Sequence, residues 1–125
     1  PLLIGAPAGH MRIASDCAVE RFTRRSAGWR ALGWDTCAGG ASCGQRMGER
    51  AFGHTGFTGT SMWIDPEREL FVIVLTNHVL PRESAVPHAI LADVRADVAD
   101  VAAIAMDAVG DSSFVLRSER RIGWR

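Results

Sequence analysis

The sequence predicts an α+β fold, an antiparallel sheet flanked by helices, on three observations. First, two strand-like runs, residues 51–64 and Leu70–Leu75, are joined by Asp65-Pro66-Glu67-Arg68-Glu69, where the fixed φ of proline suits a tight turn. Second, the apolar positions Ile90, Val94, Val98, Val101, Ile104 and Ala108 recur at three and four residues, with Asp93, Asp97, Asp100 and Asp107 among them. That pattern predicts an amphipathic helix opening at Pro87, preceded by Ser84, and stopping at Gly110. Third, Ser15 or Asp16 can cap a shorter helix over 16–25 that carries Val19 and Phe22 on one face and ends near Arg24-Arg25.

The remaining segments follow from local chemistry. Residues 1–12 are rich in Gly, Pro and Ala and lack periodicity, which predicts a loop. Trp29–Thr36 alternates imperfectly and is rich in β-formers, which predicts a strand. Residues 38–50 open with small residues and read as a loop. The run Leu70–Leu75 is apolar at every position, which predicts a central strand covered on both faces. The long helix can cover one face, but the short helix cannot cover the other alone, so the sheet requires material beyond this chain. The organisation expected is one incomplete domain over residues 1–110 and a solvated basic tail over 111–125 carrying Arg117, Arg120, Arg121 and Arg125.

Composition narrows the function classes. A chain of 125 residues, 47% hydrophobic and 22% charged, holds one core and is not of the disordered class. Net charge is zero, so no global field points to nucleic acid or an anionic surface. The basic tail lacks the aromatic and glycine interleaving of a nucleic-acid patch. No apolar run approaches the ~20 residues of a membrane span. All 14 basic residues are arginine, and the chain has neither lysine nor tyrosine. Cys17, Cys37 and Cys43 are an odd number that reads as incidental thiols, although Cys37 and Cys43 bracket a glycine-rich loop and could pair in an oxidising compartment. His10, His78 and His88 show no ligand spacing with a cysteine or carboxylate, so neither a metal nor a cofactor is expected. The compartment is left open.

The most informative stretch is Gly53-His54-Thr55-Gly56-Phe57-Thr58-Gly59-Thr60-Ser61. Glycines are depleted in strands, and three here mark places where something approaches the backbone closely. Preceded by Ala31-Leu32-Gly33-Trp34-Asp35 and followed by Trp63-Ile64-Asp65-Pro66 and Leu75-Thr76-Asn77, this stretch resembles the C-terminal part of the serine β-lactamase/penicillin-binding-protein superfamily. The similarity is to its class C-like branch, which includes esterases and D-amino-acid peptidases. It covers about residues 29–81 by motif and 12–109 by layout.

That resemblance implies acyl-enzyme chemistry built from three motifs. A Ser-x-x-Lys provides nucleophile and base, a Tyr-x-Asn or Tyr-x-Ser a second proton-transfer group, and a Lys-Thr-Gly or His-Thr-Gly the inner strand. Only the third is present, as His54-Thr55-Gly56, which implies that the nucleophile lies upstream of Pro1 in the remaining N-terminal portion of the same fold. It further implies that the Phe57 N–H is an oxyanion donor, that His54 joins the charge network and that Thr55 and Gly56 line the acyl-binding cleft. The implied substrates are small acyl compounds: esters, β-lactams or D-amino-acid peptides. A plainer reading keeps His54 as an exposed strand-end histidine, Gly56 and Gly59 as packing glycines, Trp34 and Trp63 as core aromatics and Asn77 as the close of a strand. A truncated, non-catalytic binding or docking module is the alternative function, and the upstream coding sequence separates the two.

Overall fold

The computed structural model describes residues 14–39, 42–79 and 88–111. Residues 1–12, Pro87 and the expected tail beyond Asp111 lie outside them. Among the described residues, helix α1 spans Asp16–Thr23, followed by strands β1 (Asp35–Thr36), β2 (Phe52–Thr55), β3 (Ser61–Asp65) and β4 (Leu70–Val74), then helix α2 (His88–Asp111). The four strands form one antiparallel sheet in the order β1-β2-β3-β4. The α+β class and the flanking helices agree with expectation.

Helix α1 starts as its cap chemistry dictates. The Ser15 hydroxyl accepts from the Ala18 N–H at 3.2 Å, and Asp16 sits in the first turn, where the helix dipole favours an anion. None of its residues is buried, and Phe22 is exposed. Among the described residues the helix therefore leaves Phe71 and Ile73, on the second face of the sheet, exposed.

The expected strand at Trp29–Thr36 shrinks to Asp35–Thr36. Gly28 and Gly33 take positive φ (55° and 80°) and turn the chain back on itself through isolated bridges, Ala27 with Arg30 and Arg30 with Asp35. The Thr36 N–H and hydroxyl both donate to the Trp29 carbonyl, at 2.7 and 2.9 Å. Trp34 is half-buried and meets Phe52 edge-on at 5.3 Å, whereas Trp29 is exposed.

The single strand expected over 51–64 is instead a hairpin. β2 and β3 pair from Phe52↔Ile64 to Thr55↔Ser61, and residues 56–60 form the connection. The Gly56 N–H donates to the Thr60 carbonyl at 2.7 Å and the Gly59 N–H to the Gly56 carbonyl at 3.0 Å. Gly59, at φ 102°, takes a conformation that side-chain-bearing residues rarely adopt, within the turn that leads into β3. The turn at Pro66–Glu69 lies where the sequence places it.

Leu70–Leu75 is not central. Among the described residues β4 is the last strand of the sheet, with Val72 buried but Phe71 and Ile73 exposed. Helix α2 also turns a different side inward. Leu91, Arg95, Ala99 and Ala103, spaced by four, are buried, while Ile90, Val94, Val98, Val101 and Ile104 are exposed. Alanine at 99 and 103 lets the helix backbone approach the sheet closely, which the bulkier β-branched stripe does not allow.

Polar locks hold the layers together. The Asp65 carboxylate is fully buried at the end of β3 and accepts from the Gly48 N–H (2.8 Å), the Glu67 N–H (3.0 Å) and Arg68 Nη1 (2.8 Å). Asp100 on α2 accepts from the Gln45 and Arg46 N–H groups at 2.7 and 2.8 Å, tying the 42–50 loop to the helix. Cys37 and Cys43 are disulfide-bonded, with Cα atoms 5.7 Å apart, so two of the three thiols are not incidental; Cys17 is free and exposed.

Arg68 also reaches α2, where Nε and Nη2 donate to the Asp107 carboxylate at 2.7 and 3.1 Å. Hydrogen bonding to Arg68 holds the Asp107 carboxyl below the usual carboxylate range. A folded-state pKa below the unfolded one contributes stability that is present above the unfolded value and lost as pH falls through the folded one. Melting temperature is therefore expected to fall less on acidification in Asp107→Asn than in the parent chain. Equal acid slopes would show that the pair is not linked to folding. The pair is exposed, so salt is expected to shrink the difference.

Candidate active site

The His54-Thr55-Gly56 tripeptide closes β2 and enters the hairpin. β1 pairs only with Phe52 and Gly53, so the edge of β2 at His54 and Thr55 is open on the side away from β3 among the described residues. His54 is exposed, and its Nδ1 lies 2.8 Å from the Thr55 carbonyl. A carbonyl only accepts, so Nδ1 carries the proton, and in the neutral ring Nε2 keeps its lone pair for a second partner.

Phe57 follows at the start of the turn with its side chain 84% exposed. The Gly56 and Gly59 amides are engaged within the hairpin, whereas among the described residues no backbone acceptor meets the N–H of Phe57 or of Thr58. An open depression of about 350 Å³ lies at the tripeptide, lined by His54, Thr55, Gly56, Met62, Ile73 and Leu75 but not by Phe57. A larger concavity of about 550 Å³ lies elsewhere, with Arg24, Arg25, Arg50, Glu20 and Glu49 among its lining residues. It contains none of the tripeptide residues.

The glycines answer the question of close approach differently from the sequence expectation. A Cβ on Gly53 would meet the Met62 carbonyl and the Trp63 ring. On Gly56 it would meet the Thr60 hydroxyl, and on Gly59 Thr76, Leu91 and His78. The approaching groups are therefore the protein's own. At Gly59 the neighbours include Leu91 of α2, as packing of a helix against the strand requires, whereas at Gly56 the neighbour is Thr60 of the same turn and not a helix. Trp63 is a buried core aromatic, as expected.

One residue behind the hairpin was not singled out from the sequence. Arg95, 5% exposed, donates from Nε and Nη2 to the Gly59 carbonyl at 2.9 and 2.6 Å, and burial lowers its pKa. With the His78 N–H donating to the Thr58 carbonyl at 3.0 Å, it clamps the turn. The available signal was that Arg95 is the only arginine on α2 and lies four residues from both Leu91 and Ala99. Among the described residues no group of three His, Cys, Asp or Glu side chains is placed to hold a metal ion, and no helix is long and apolar enough to cross a membrane.

The family profile for Beta-lactamase matches residues 12–97, most of the chain. The chain belongs to the Beta-lactamase family. This β-lactamase-family chain is 32% identical over 83 residues to proteins of Salmonella gallinarum, Salmonella paratyphi B and Salmonella newport that carry a provisional D-alanyl-D-alanine carboxypeptidase name. The alignment covers 61% of this chain and 19% of each relative, so the chain spans about a fifth of their length. No solved structure matches it. The family is of the serine hydrolase type.

Proposed function

We propose that this chain supplies one wall of an acyl-transfer site whose nucleophilic serine lies in the rest of the β-lactamase fold. The observation that carries the reading is the Phe57 N–H, which meets no backbone acceptor among the described residues, in the turn directly after His54-Thr55-Gly56 and a strand edge left open past Gly53. A donor so placed can meet the oxygen of a carbonyl under attack. In the proposed reaction a serine oxygen bonds to the substrate carbonyl carbon and its proton passes to a base. The negative oxygen is held by the Phe57 N–H and by a second N–H beside the serine. Collapse expels the leaving group with a proton, and water then releases the acid and regenerates the serine. Thr55 and Gly56 line the cleft, and His54 offers a polar group to the substrate or to the proton network.

Among esters, β-lactams and D-amino-acid peptides, the names of the Salmonella relatives favour a D-alanyl-D-alanine peptide as the first substrate to try. The 125-residue chain by itself is expected to hydrolyse neither that peptide, nor a chromogenic cephalosporin, nor a short-chain nitrophenyl ester. It has no lysine to complete a Ser-x-x-Lys. Turnover by the purified chain, abolished by replacing one of its own serines, would refute the assignment.

The charge role of His54 has its own test in a catalytically complete protein. An imidazole ordinarily changes charge near pH ~6.5, and an ammonium not until above ~10. His54→Lys is therefore expected to flatten the kcat/KM profile on the acid side of neutrality. An unchanged profile would place the ring outside the network.

A further inference from the structure

Arg95 is an interior cation that the proposed reaction leaves without a role. It is 5% exposed, and among the described residues no carboxylate lies within ion-pair distance of it. Burial lowers its pKa, as expected of a guanidinium held away from water. Burying a cation without a counter-charge is costly, and methionine would fill similar space without that cost. What the charged group provides is a pair of donors, Nε and Nη2, both directed at the Gly59 carbonyl at 2.9 and 2.6 Å. Hydrogen bonds given by a charged group are the stronger kind.

Gly59, at φ 102°, is where such a hold matters, because both of its flanking peptide groups are fixed from outside the turn. Arg95 holds the carbonyl of the peptide 59–60. The His78 N–H holds the carbonyl of the peptide 58–59, donating to Thr58 at 3.0 Å. The N–H of that same peptide belongs to Gly59 and donates to the Gly56 carbonyl at 3.0 Å. The Gly56 carbonyl in turn shares its peptide plane with the Phe57 N–H. The bonds therefore run in one direction, from His78 through two successive peptide groups. They end on the Phe57 N–H, which meets no backbone acceptor among the described residues. A peptide group that accepts at its carbonyl donates more strongly from its N–H, so the chain of bonds both orients and polarises the last donor.

We propose that Arg95 is a positioning residue for the Phe57 N–H: by holding the Gly59 carbonyl it keeps Gly59 turned so that the Gly59 N–H fixes the peptide plane carrying that donor. The proposal rests on the hydrolase reading and goes beyond it in giving α2 a share in transition-state stabilisation. Arg95 does not line the depression at His54, so it acts through the turn.

The test reads the hydrogen bonds and turnover separately. In the isotope-labelled 125-residue chain, NMR couplings across the bond from Gly59 to Gly56 report that bond directly. The coupling is expected in the parent chain, to vanish in Arg95→Met and to persist in Arg95→Lys, which keeps the charge and a donor. Ala103→Gly loosens the same helix at a buried site further along it, so melting temperature is expected to fall there while the coupling persists. Persistence in Arg95→Met would overturn the proposal, since methionine replaces without loss a side chain that only fills space. Absence of the coupling from the parent would overturn it even were no variant to fold.

In a catalytically complete protein, Arg95→Met is expected to lower kcat about tenfold with KM within about twofold, because a misplaced donor fails chiefly the developing charge. Arg95→Lys is expected to restore most of that rate and Ala103→Gly to retain it. Parental kcat in Arg95→Met, or an equal loss in Ala103→Gly, would overturn the proposal in a protein that Phe57→Pro disables. Where Phe57→Pro leaves kcat unchanged, the hydrolase reading falls instead, and the coupling alone decides whether Arg95 positions the turn.

Discussion

Replacing Phe57 by proline in a catalytically complete protein is expected to lower kcat about 10²–10³-fold while Phe57→Ala lowers it little, because an oxyanion-hole donor is worth roughly 3 kcal/mol. The contrast isolates the N–H. Alanine removes an aromatic ring that is 84% exposed and keeps the amide, whereas proline removes the amide. Gly56 precedes the substituted position and has no Cβ to clash with the proline ring, so the hairpin bonds from Gly56 to Thr60 and from Gly59 to Gly56 can persist. Thermal melting is the control: both variants should melt near the parent temperature. KM separates the roles further, since a group acting only on the developing negative charge affects kcat more than substrate binding. Equal losses in the proline and alanine variants would show that the ring, and not the amide, matters, and the oxyanion assignment would fall.

Gly59→Ala is expected to cost about 3–5 kcal/mol of stability, enough to unfold a marginal domain outright. Gly59 combines two constraints. Its φ of 102° is a conformation that side-chain-bearing residues rarely adopt, and a Cβ there would sit 2.7 Å from Leu91 Cδ2 and 2.8 Å from His78 Nδ1, besides meeting the Thr76 hydroxyl. Leu91 is buried on α2 and cannot swing away without opening the helix–sheet contact. Gly28→Ala supplies the comparison. Gly28 also has positive φ (55°), but nothing lies within 4 Å of its Cβ position, so that change should cost only the backbone strain, about 1–2 kcal/mol. Denaturant or thermal melts of the two variants side by side decide the matter. Similar losses would mean that backbone strain alone sets the cost and that the contacts behind the hairpin are soft.

Both predictions concern the hairpin, and its origin explains what could be read in advance. The turn at 65–69 was legible because proline and charged residues act within a few positions of the chain. The Ser15 cap was legible for the same reason. The hairpin at 56–60 was missed because glycines at 53, 56 and 59 are compatible both with a strand that something approaches and with a turn. Only the bonds from Gly56 to Thr60 and the helix packed behind Gly59 separate those cases.

The sides of α2 and β4 failed for a related reason. Periodicity shows that a helix has an apolar side, not which of two apolar sides meets the sheet, and here small alanines with one buried arginine prevail over a valine and isoleucine stripe. An all-apolar strand implies cover on both faces, and the described residues provide it on one.

By itself, then, the sequence determined the family, the α+β class, the long helix, the turn after Asp65 and the position of the His54-Thr55-Gly56 tripeptide. These depend on residue types at fixed local spacing. Only the tertiary structure decided that the tripeptide ends one arm of a hairpin, that Arg95 clamps that hairpin from behind, that Cys37 pairs with Cys43 and that the apolar faces of Phe71–Ile73 and Val94–Val101 stand open. Each of these depends on which residues distant in sequence come within contact distance, and no local pattern encodes that.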